Sequence, residues 1–239
     1  MIVLASLTLS SAAWAATCSD ASLNGTYGFL HNGTDGTGAP STAAVSQITF
    51  DPGTATFTGE TKSSRGGVIT TFSFTGTYAV GPNCTGTGTP SGGSPFSIVA
   101  TPTGFLALHL FSEGFAVKQG SAACTNAGLK GKFAFETSGT LLATGAVAII
   151  GELKLRVNPS GEGVIRGRVA TSEDGTFVTF EPVIGSYKVG TDCKGRAVIT
   201  PKGQSEMHFS FVVVDDENKM LAVETDSDTV VSGTLVKNK

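Results

Sequence analysis

The fold is decided by a stretch of sequence that the chain contains twice. Cys18-Ser-Asp-Ala-Ser-Leu-Asn-Gly-Thr-Tyr-Gly-Phe29 returns as Cys124-Thr-Asn-Ala-Gly-Leu-Lys-Gly-Lys-Phe-Ala-Phe135. Further on, Thr75-Gly-Thr-Tyr-Ala-Val-Gly-Pro-Asn-Cys84 returns as Ile184-Gly-Ser-Tyr-Lys-Val-Gly-Thr-Asp-Cys193. The copies are 106 residues (124 − 18) and 109 residues (193 − 84) apart. Solenoid repeats have periods of about 20–50 residues, so this spacing indicates a duplicated domain.

The residues before the first copy are typical of a secretory signal peptide. Residues 1–15 are mostly apolar and end in the small-residue pattern Ala13-Trp-Ala15. A membrane anchor is the alternative, but the stretch is shorter than the ~20 residues that span a bilayer. We predict a signal peptide at 1–15, domains at 16–120 and 121–239, and no membrane span after signal removal. The protein would then be secreted, periplasmic or held at the cell surface.

Each half consists of short segments of alternating polarity separated by Gly, Pro, Asn and Asp, and helical periodicity is nearly absent. About eight strands per half are predicted, among them Thr26–His31, Thr54–Glu60 and Val68–Val80. Consecutive strands with short turns form a meander, which closes into an up-and-down barrel or folds over as a sandwich. We predict an all-β protein of two tandem antiparallel meander β-barrels, with two β-sandwiches as the alternative.

The alternation also predicts which side chains face inward. In the fourth strand Phe72, Phe74 and Tyr78 share one face, so aromatic rings are expected to fill the first barrel. The second barrel has smaller inward residues, which leaves more room for a ligand. Its fourth strand changes phase, and we predict a β-bulge at Glu181-Pro182 to restore a common face.

Four cysteines in an exported chain indicate disulfide bonds. Each half has one cysteine before its first strand and one at its central turn. The duplication therefore predicts the pairs Cys18–Cys84 and Cys124–Cys193. No CxxC spacing supports a zinc site, and we expect neither a metal nor a cofactor.

The repeated pattern Cys…Leu-x-Gly-Thr-Tyr-Gly-Phe, followed by Phe-x-Gly-Thr-Tyr-x-Val-x-x-x-Cys-Thr-Gly-Thr, resembles that of uncharacterised exported proteins of soil bacteria. The resemblance covers residues 18–89 and 124–200, and it implies no activity. The predicted barrels are similar to calycins in architecture alone.

The formal net charge of −3 argues against nucleic acid as a partner, because a nucleic-acid-binding protein is expected to have a basic face. Residues 17–123 contain three Lys or Arg and five Asp or Glu. A surface with so few charges offers little repulsion against self-association. We therefore expect partners among further copies of the chain or cell-surface components.

No motif identifies a catalytic residue, because no histidine has a nucleophile at a recognised spacing. His109 is the one weak site candidate, since it lies in a strand that is apolar on both faces. It would be either a ligand residue or a residue packed against the other barrel.

Two functions from different classes remain. The first is a non-catalytic structural, adhesive or surface protein. The alternative is a lipocalin-like carrier of a small apolar ligand, with the ligand in the second barrel. An enzyme ranks third.

Overall fold

The computed structural model describes residues 17–34, 40–109 and 112–238. The predicted signal peptide at 1–15 lies outside the described residues. In the described ranges, no helix is long and apolar enough to cross a membrane. A short 3-10 helix at Asp20–Leu23 precedes the first strand.

The first eight strands form a closed antiparallel barrel in which each strand pairs with the next and β8 pairs with β1. The strands are β1 (Gly25–Thr34), β2 (Pro40–Asp51), β3 (Thr56–Arg65), β4 (Val68–Val80), β5 (Thr85–Pro90), β6 (Phe96–Thr101), β7 (Gly104–His109) and β8 (Ser112–Lys118).

The next eight strands repeat this plan, and β16 pairs with β9 to close the second barrel. They are β9 (Gly131–Leu141), β10 (Gly145–Val157), β11 (Gly163–Glu173), β12 (Thr176–Val189), β13 (Lys194–Pro201), β14 (Met207–Val214), β15 (Lys219–Glu224) and β16 (Thr229–Lys237). The prediction of two tandem eight-stranded barrels is confirmed, and the sandwich alternative is wrong. Independent folding within 16–120 and 121–239 stays a prediction.

One end of the first barrel is plugged by the segment that precedes β1. Leu23 is fully buried there. The Asp20 carboxylate accepts a hydrogen bond from the Val80 backbone N–H at 2.7 Å, and the Tyr78 hydroxyl donates to the Asp20 carbonyl at 3.0 Å. The Cys18–Cys84 disulfide fixes the same segment. This end is called the plugged end below, and the opposite end, where the described residues form no plug, is called the open end.

The second barrel has the same plug at equivalent positions. Leu129 is fully buried, the Asn126 side-chain oxygen accepts from the Val189 N–H at 3.0 Å, and the Tyr187 hydroxyl donates to the Asn126 carbonyl at 2.8 Å. The repeated Tyr and Asp/Asn residues of the sequence are therefore parts of a latch that holds each plug in place.

The second disulfide joins Cys124 to Cys193, so both predicted pairs are present. In each pair the Cα atoms are 4.9 Å apart. Structural disulfides persist in oxidising compartments, which fits a protein located outside the cytoplasm.

The predicted bulge in β12 is present but begins earlier in the strand. Val169 pairs with Glu181 and Thr171 pairs with Val178, so two residues of β12 lie opposite Ala170. The extra residue precedes Glu181-Pro182, which remains in the regular ladder. It restores the phase of β12, as expected of a bulge.

The two barrels pack directly against each other through an apolar seam. The outward faces of β1, β2 and β8 contact those of β14, β15 and β16. The buried seam residues are Leu30, Ala43, Val45, Val212, Val214, Leu221, Val223 and Val230. Burying this many aliphatic side chains is worth on the order of 10 kcal/mol before entropic costs are subtracted.

Gly28 shows how closely the two walls approach at the seam. A Cβ atom at this position would lie 2.5 Å from Val214 Cγ1 and 3.0 Å from Val212 Cγ1. Polar contacts add to the seam. The Ser232 hydroxyl donates to Asn32 Oδ1 at 2.6 Å, and the Ser64 hydroxyl donates to the Thr229 carbonyl.

Among the described residues of the second barrel, one carboxylate is buried. Glu224 follows Met220 and Ala222 on the inward face of β15 and is only 5% exposed. Burial, and secondarily the nearby Asp226 charge, raises the Glu224 pKa from its ordinary 4.5 to about 7, against an opposing effect of His208. The folded state therefore holds a proton that the unfolded chain releases between about pH 4.5 and 7. Its contribution to stability is complete below pH 4.5 and is lost as the pH rises through 7.

We expect Glu224→Gln to stabilise the protein at pH 8 by about 2–3 kcal/mol, because one pKa unit corresponds to ~1.4 kcal/mol. The gain disappears at pH 4, where Glu224 is protonated in both states. Urea denaturation at the two pH values measures the difference. Glu113→Gln, at an exposed position on β8, is the matched control. Equal effects of Glu224→Gln at both pH values would contradict the assignment.

Candidate functional site

The open end of the first barrel forms a cup of about 460 Å³. Its walls come from the ends of β1, β2, β3 and β4. The lining residues are His31, Thr42, Thr61, Ser63, Arg65, Val68, Thr70 and Phe72. None of these eight is acidic.

Part of the cup wall is formed by the ends of two strands, which extend beyond the bounds predicted from the sequence. β1 continues to Thr34 instead of ending at His31, and β3 continues to Arg65 instead of ending at Glu60. The extension of β3 places Thr61, Ser63 and Arg65 in phase with the inward Phe57. These three residues have the polarity that is typical of a loop, so the prediction from composition placed them outside the strand. The phase of the strand was the signal that could have found them.

His31 lies at the base of the cup. Its ring stacks on Phe29, with centroids 5.4 Å apart and planes at 28°. The Nδ1 atom is buried and makes no hydrogen bond within the described part of the chain. Burial, and secondarily the electrostatic effects of Arg65 and His109, lower the His31 pKa from 6.5 to about 4. The imidazole is therefore neutral at pH 7.

A glycine on the neighbouring strand makes room for this ring. Gly114 of β8 pairs with His31. A Cβ atom at position 114 would lie 2.7 Å from both His31 Cβ and Phe29 Cε2. A larger residue would displace the two stacked rings, so Gly114 shapes the base of the cup.

The wall below the rim carries a belt of hydroxyl groups that hydrogen bond in pairs. Ser46 and Thr61 are buried, and their side-chain oxygens are 2.7 Å apart. Ser63 and Thr70 pair at 2.8 Å. The belt marks the level at which the interior changes from the aromatic core to a polar cup.

His109 belongs to this end of the barrel. It shares the inward face of β7 with Phe105 and Ala107, pairs with Ser112, and acts electrostatically on His31. The structure thus brings together two histidines and Arg65, although His31 is not a residue that the sequence singled out for a site. The wall that packs against the second barrel consists of other residues.

The interiors of the two barrels differ from the prediction, which expected aromatic rings to fill the first barrel and more room for a ligand in the second. Phe72 has the predicted inward phase, but it lies at the rim of the cup and is 51% exposed. In the second barrel, the apolar space among residues such as Leu153, Phe209 and Met220 amounts to about 20 Å³. A space of this size holds at most one water molecule. The geometry therefore favours the first barrel over the second as the place for a ligand.

Comparisons with known proteins assign no family. No protein-family model matches the chain, and no curated protein sequence matches it. A crystal structure of a protein of unknown function, from the DUF3598 family of Nostoc punctiforme, is 11% identical. The alignment covers 91% of this chain and 97% of that one, with a TM-score of 0.28. A similarity at this level carries no argument, and the resemblance to exported proteins of soil bacteria stays a prediction.

The lowered pKa of His31 makes stability depend on pH. As the pH falls from 6.5 to 4, His31 is protonated in the unfolded chain but stays neutral in the folded protein. The free energy of unfolding therefore decreases over this range. We expect His31→Gln to remove a loss of about 2–3 kcal/mol between pH 7 and pH 4. Urea denaturation of the wild type and the variant at both pH values gives the difference in the free energy of unfolding. Glu224 is present in both proteins, so its opposite contribution cancels. A difference that does not change with pH would contradict the assignment.

Proposed function

We propose that the protein is a non-catalytic exported binding protein whose site is the open cup of the first barrel. The observation that carries the proposal is the cup of about 460 Å³, in which His31, Arg65 and several hydroxyl groups converge without a carboxylate among the lining residues. A concave pocket with a few convergent polar groups is the usual form of a small-molecule site. The packing of the two barrels against each other and the two disulfides provide a rigid scaffold for such a site.

The chemistry of the wall favours a small organic acid. Arg65 supplies a permanent positive charge, and a guanidinium binds a carboxylate through two parallel hydrogen bonds. The neutral His31 can donate one further hydrogen bond to the same group. The cup also offers apolar contact, because Val68 and Phe72 line it and are 64% and 51% exposed. The proposed ligand therefore combines a carboxylate with an apolar or aromatic body, in place of the wholly apolar ligand expected from the sequence.

Benzoate and benzamide form a matched pair of probes, since they have nearly the same shape and differ in charge. We expect benzoate to shift the imidazole NMR signals of His31 and His109, and benzamide to bind at least tenfold more weakly. Arg65→Gln removes the preference for benzoate. Lys118→Gln, which deletes a cation near the plugged end, leaves it unchanged. Equal affinity for both probes, or signals of His31 that respond to neither, would contradict the proposal.

A surface or adhesive role is the second candidate, and an exposed apolar strip favours it. Val99, Leu106 and Leu108 lie on the outward face of β6 and β7 and are 44–59% exposed. Leu106 pairs with Val99 on one side and with Phe115 on the other. Phe115 packs on the seam, so the strip continues the apolar surface that joins the barrels. We propose that a second copy of the chain covers it.

Self-association through this strip has a direct test. We expect size-exclusion chromatography with light scattering to show dimers or larger species, and Leu108→Lys to convert them to monomers. The variant is expected to be monomeric because the introduced lysine would lose its hydration in the contact between two copies, which is energetically costly. Thr77→Lys, on the exposed face of β4, is the control. A wild-type protein that stays monomeric at every concentration would exclude this role.

A further inference from the structure

A second cleft, between the outer walls of the two barrels, has the composition of an anion site. It has a volume of about 490 Å³ and lies between β2–β4 of the first barrel and β12–β14 of the second. Its charged lining residues are Glu60, Lys62, Lys188, Asp192, Lys194 and Arg196. Four cations and two carboxylates give a local charge of +2 (4 − 2), in a chain whose net charge is −3.

Lys194 forms ion pairs with both carboxylates. Its Nζ lies 3.0 Å from Glu60 Oε1 and 3.3 Å from Asp192 Oδ2. The contact with Glu60 joins the two barrels, so the cleft is held at this end. Among the residues that the structure describes, Lys62, Lys188 and Arg196 form no ion pair with either carboxylate.

Lys188 and Arg196 are directly opposite each other on neighbouring strands β12 and β13. In the described ranges neither forms an ion pair. Like charges in opposite positions of a ladder destabilise a sheet. The nearby Glu162, which lines a neighbouring groove with these two residues, instead accepts hydrogen bonds from Asn158 and Ser160.

Further donors complete the cleft. Ser210 of β14 pairs with Arg196 and lines the cleft beside it. Lys62 approaches from the first barrel, where its Nζ donates to the Thr71 hydroxyl at 3.0 Å. Positive groups and hydroxyl donors thus come from both barrels, and the cleft exists only while the barrels are packed together.

We infer that this cleft binds a tetrahedral oxyanion, either a free phosphate or sulfate ion or the same group as an ester on a larger molecule. A doubly charged anion between Lys188 and Arg196 would turn their repulsion into attraction. Arg196 offers the planar fork that suits such oxygens, and Lys62 and Ser210 supply further donors. The site is separate from the cup and does not depend on the function proposed for it.

Thermal unfolding in inorganic phosphate and in chloride, at equal ionic strength, tests the inference. A ligand that binds the folded state raises the Tm with its concentration. We expect phosphate to give a saturable rise, and the double variant Lys188→Gln/Arg196→Gln to weaken the apparent affinity at least tenfold. Lys154→Gln/Arg156→Gln removes the same charges from the outward face of β10, away from the cleft, and should preserve the response. Arg65→Gln should also preserve it, which separates this site from the cup.

Inorganic phosphate and glucose 6-phosphate, which both carry close to two negative charges at pH 8, distinguish the two sources of the anion. Tighter binding of the ester supports a group carried on a larger molecule, and equal binding supports the free ion. The inference is overturned if chloride raises the Tm as much as phosphate does. An equal loss of binding in the Lys154→Gln/Arg156→Gln control would also overturn it, because the response would then come from overall charge.

Discussion

The contact on which the rest of the molecule depends is the apolar seam between the barrels. It requires β14 and β15 to be apolar on both faces, because one face fills the second barrel and the other packs on the first. It also requires Gly28, since a side chain there would collide with Val214. With the walls this close, the two barrels form one body, and the charged cleft beside the seam has a fixed shape.

The two barrels use the same architecture for different purposes. Both are plugged at one end by a latch of a tyrosine and an Asp or Asn residue, and both are tied there by a disulfide. Above the plug, the second barrel is filled by aliphatic and aromatic side chains. The first changes to hydroxyl groups, histidine and arginine. The shared plug keeps each barrel stable, so the open end of the first is free to carry chemistry that does not help it fold.

Much of the fold follows from the sequence, because the duplication and the strand alternation constrain each other. The repeated cysteines predict the disulfides, and the alternation predicts the barrels and the bulge of β12. The cup was missed because Ser63 and Arg65 have the polarity of a loop although they keep the phase of a strand. The seam left a signal in the unbroken apolar run Phe211-Val-Val-Val214, which is typical of a strand buried on both faces. Which surface covers such a strand cannot be determined from one sequence.

The position of β16 in the second barrel links assembly to the order of synthesis. This strand closes the barrel against β9 and also contributes Val230 to the seam. Its partner β9 is about a hundred residues earlier in the chain, so closure joins distant segments and is slow compared with local pairing. If the first barrel folds on its own, as the sequence predicts, it can close while the second is still incomplete. The earlier barrel would then act as a template, on which the later strands gather before their own barrel is closed.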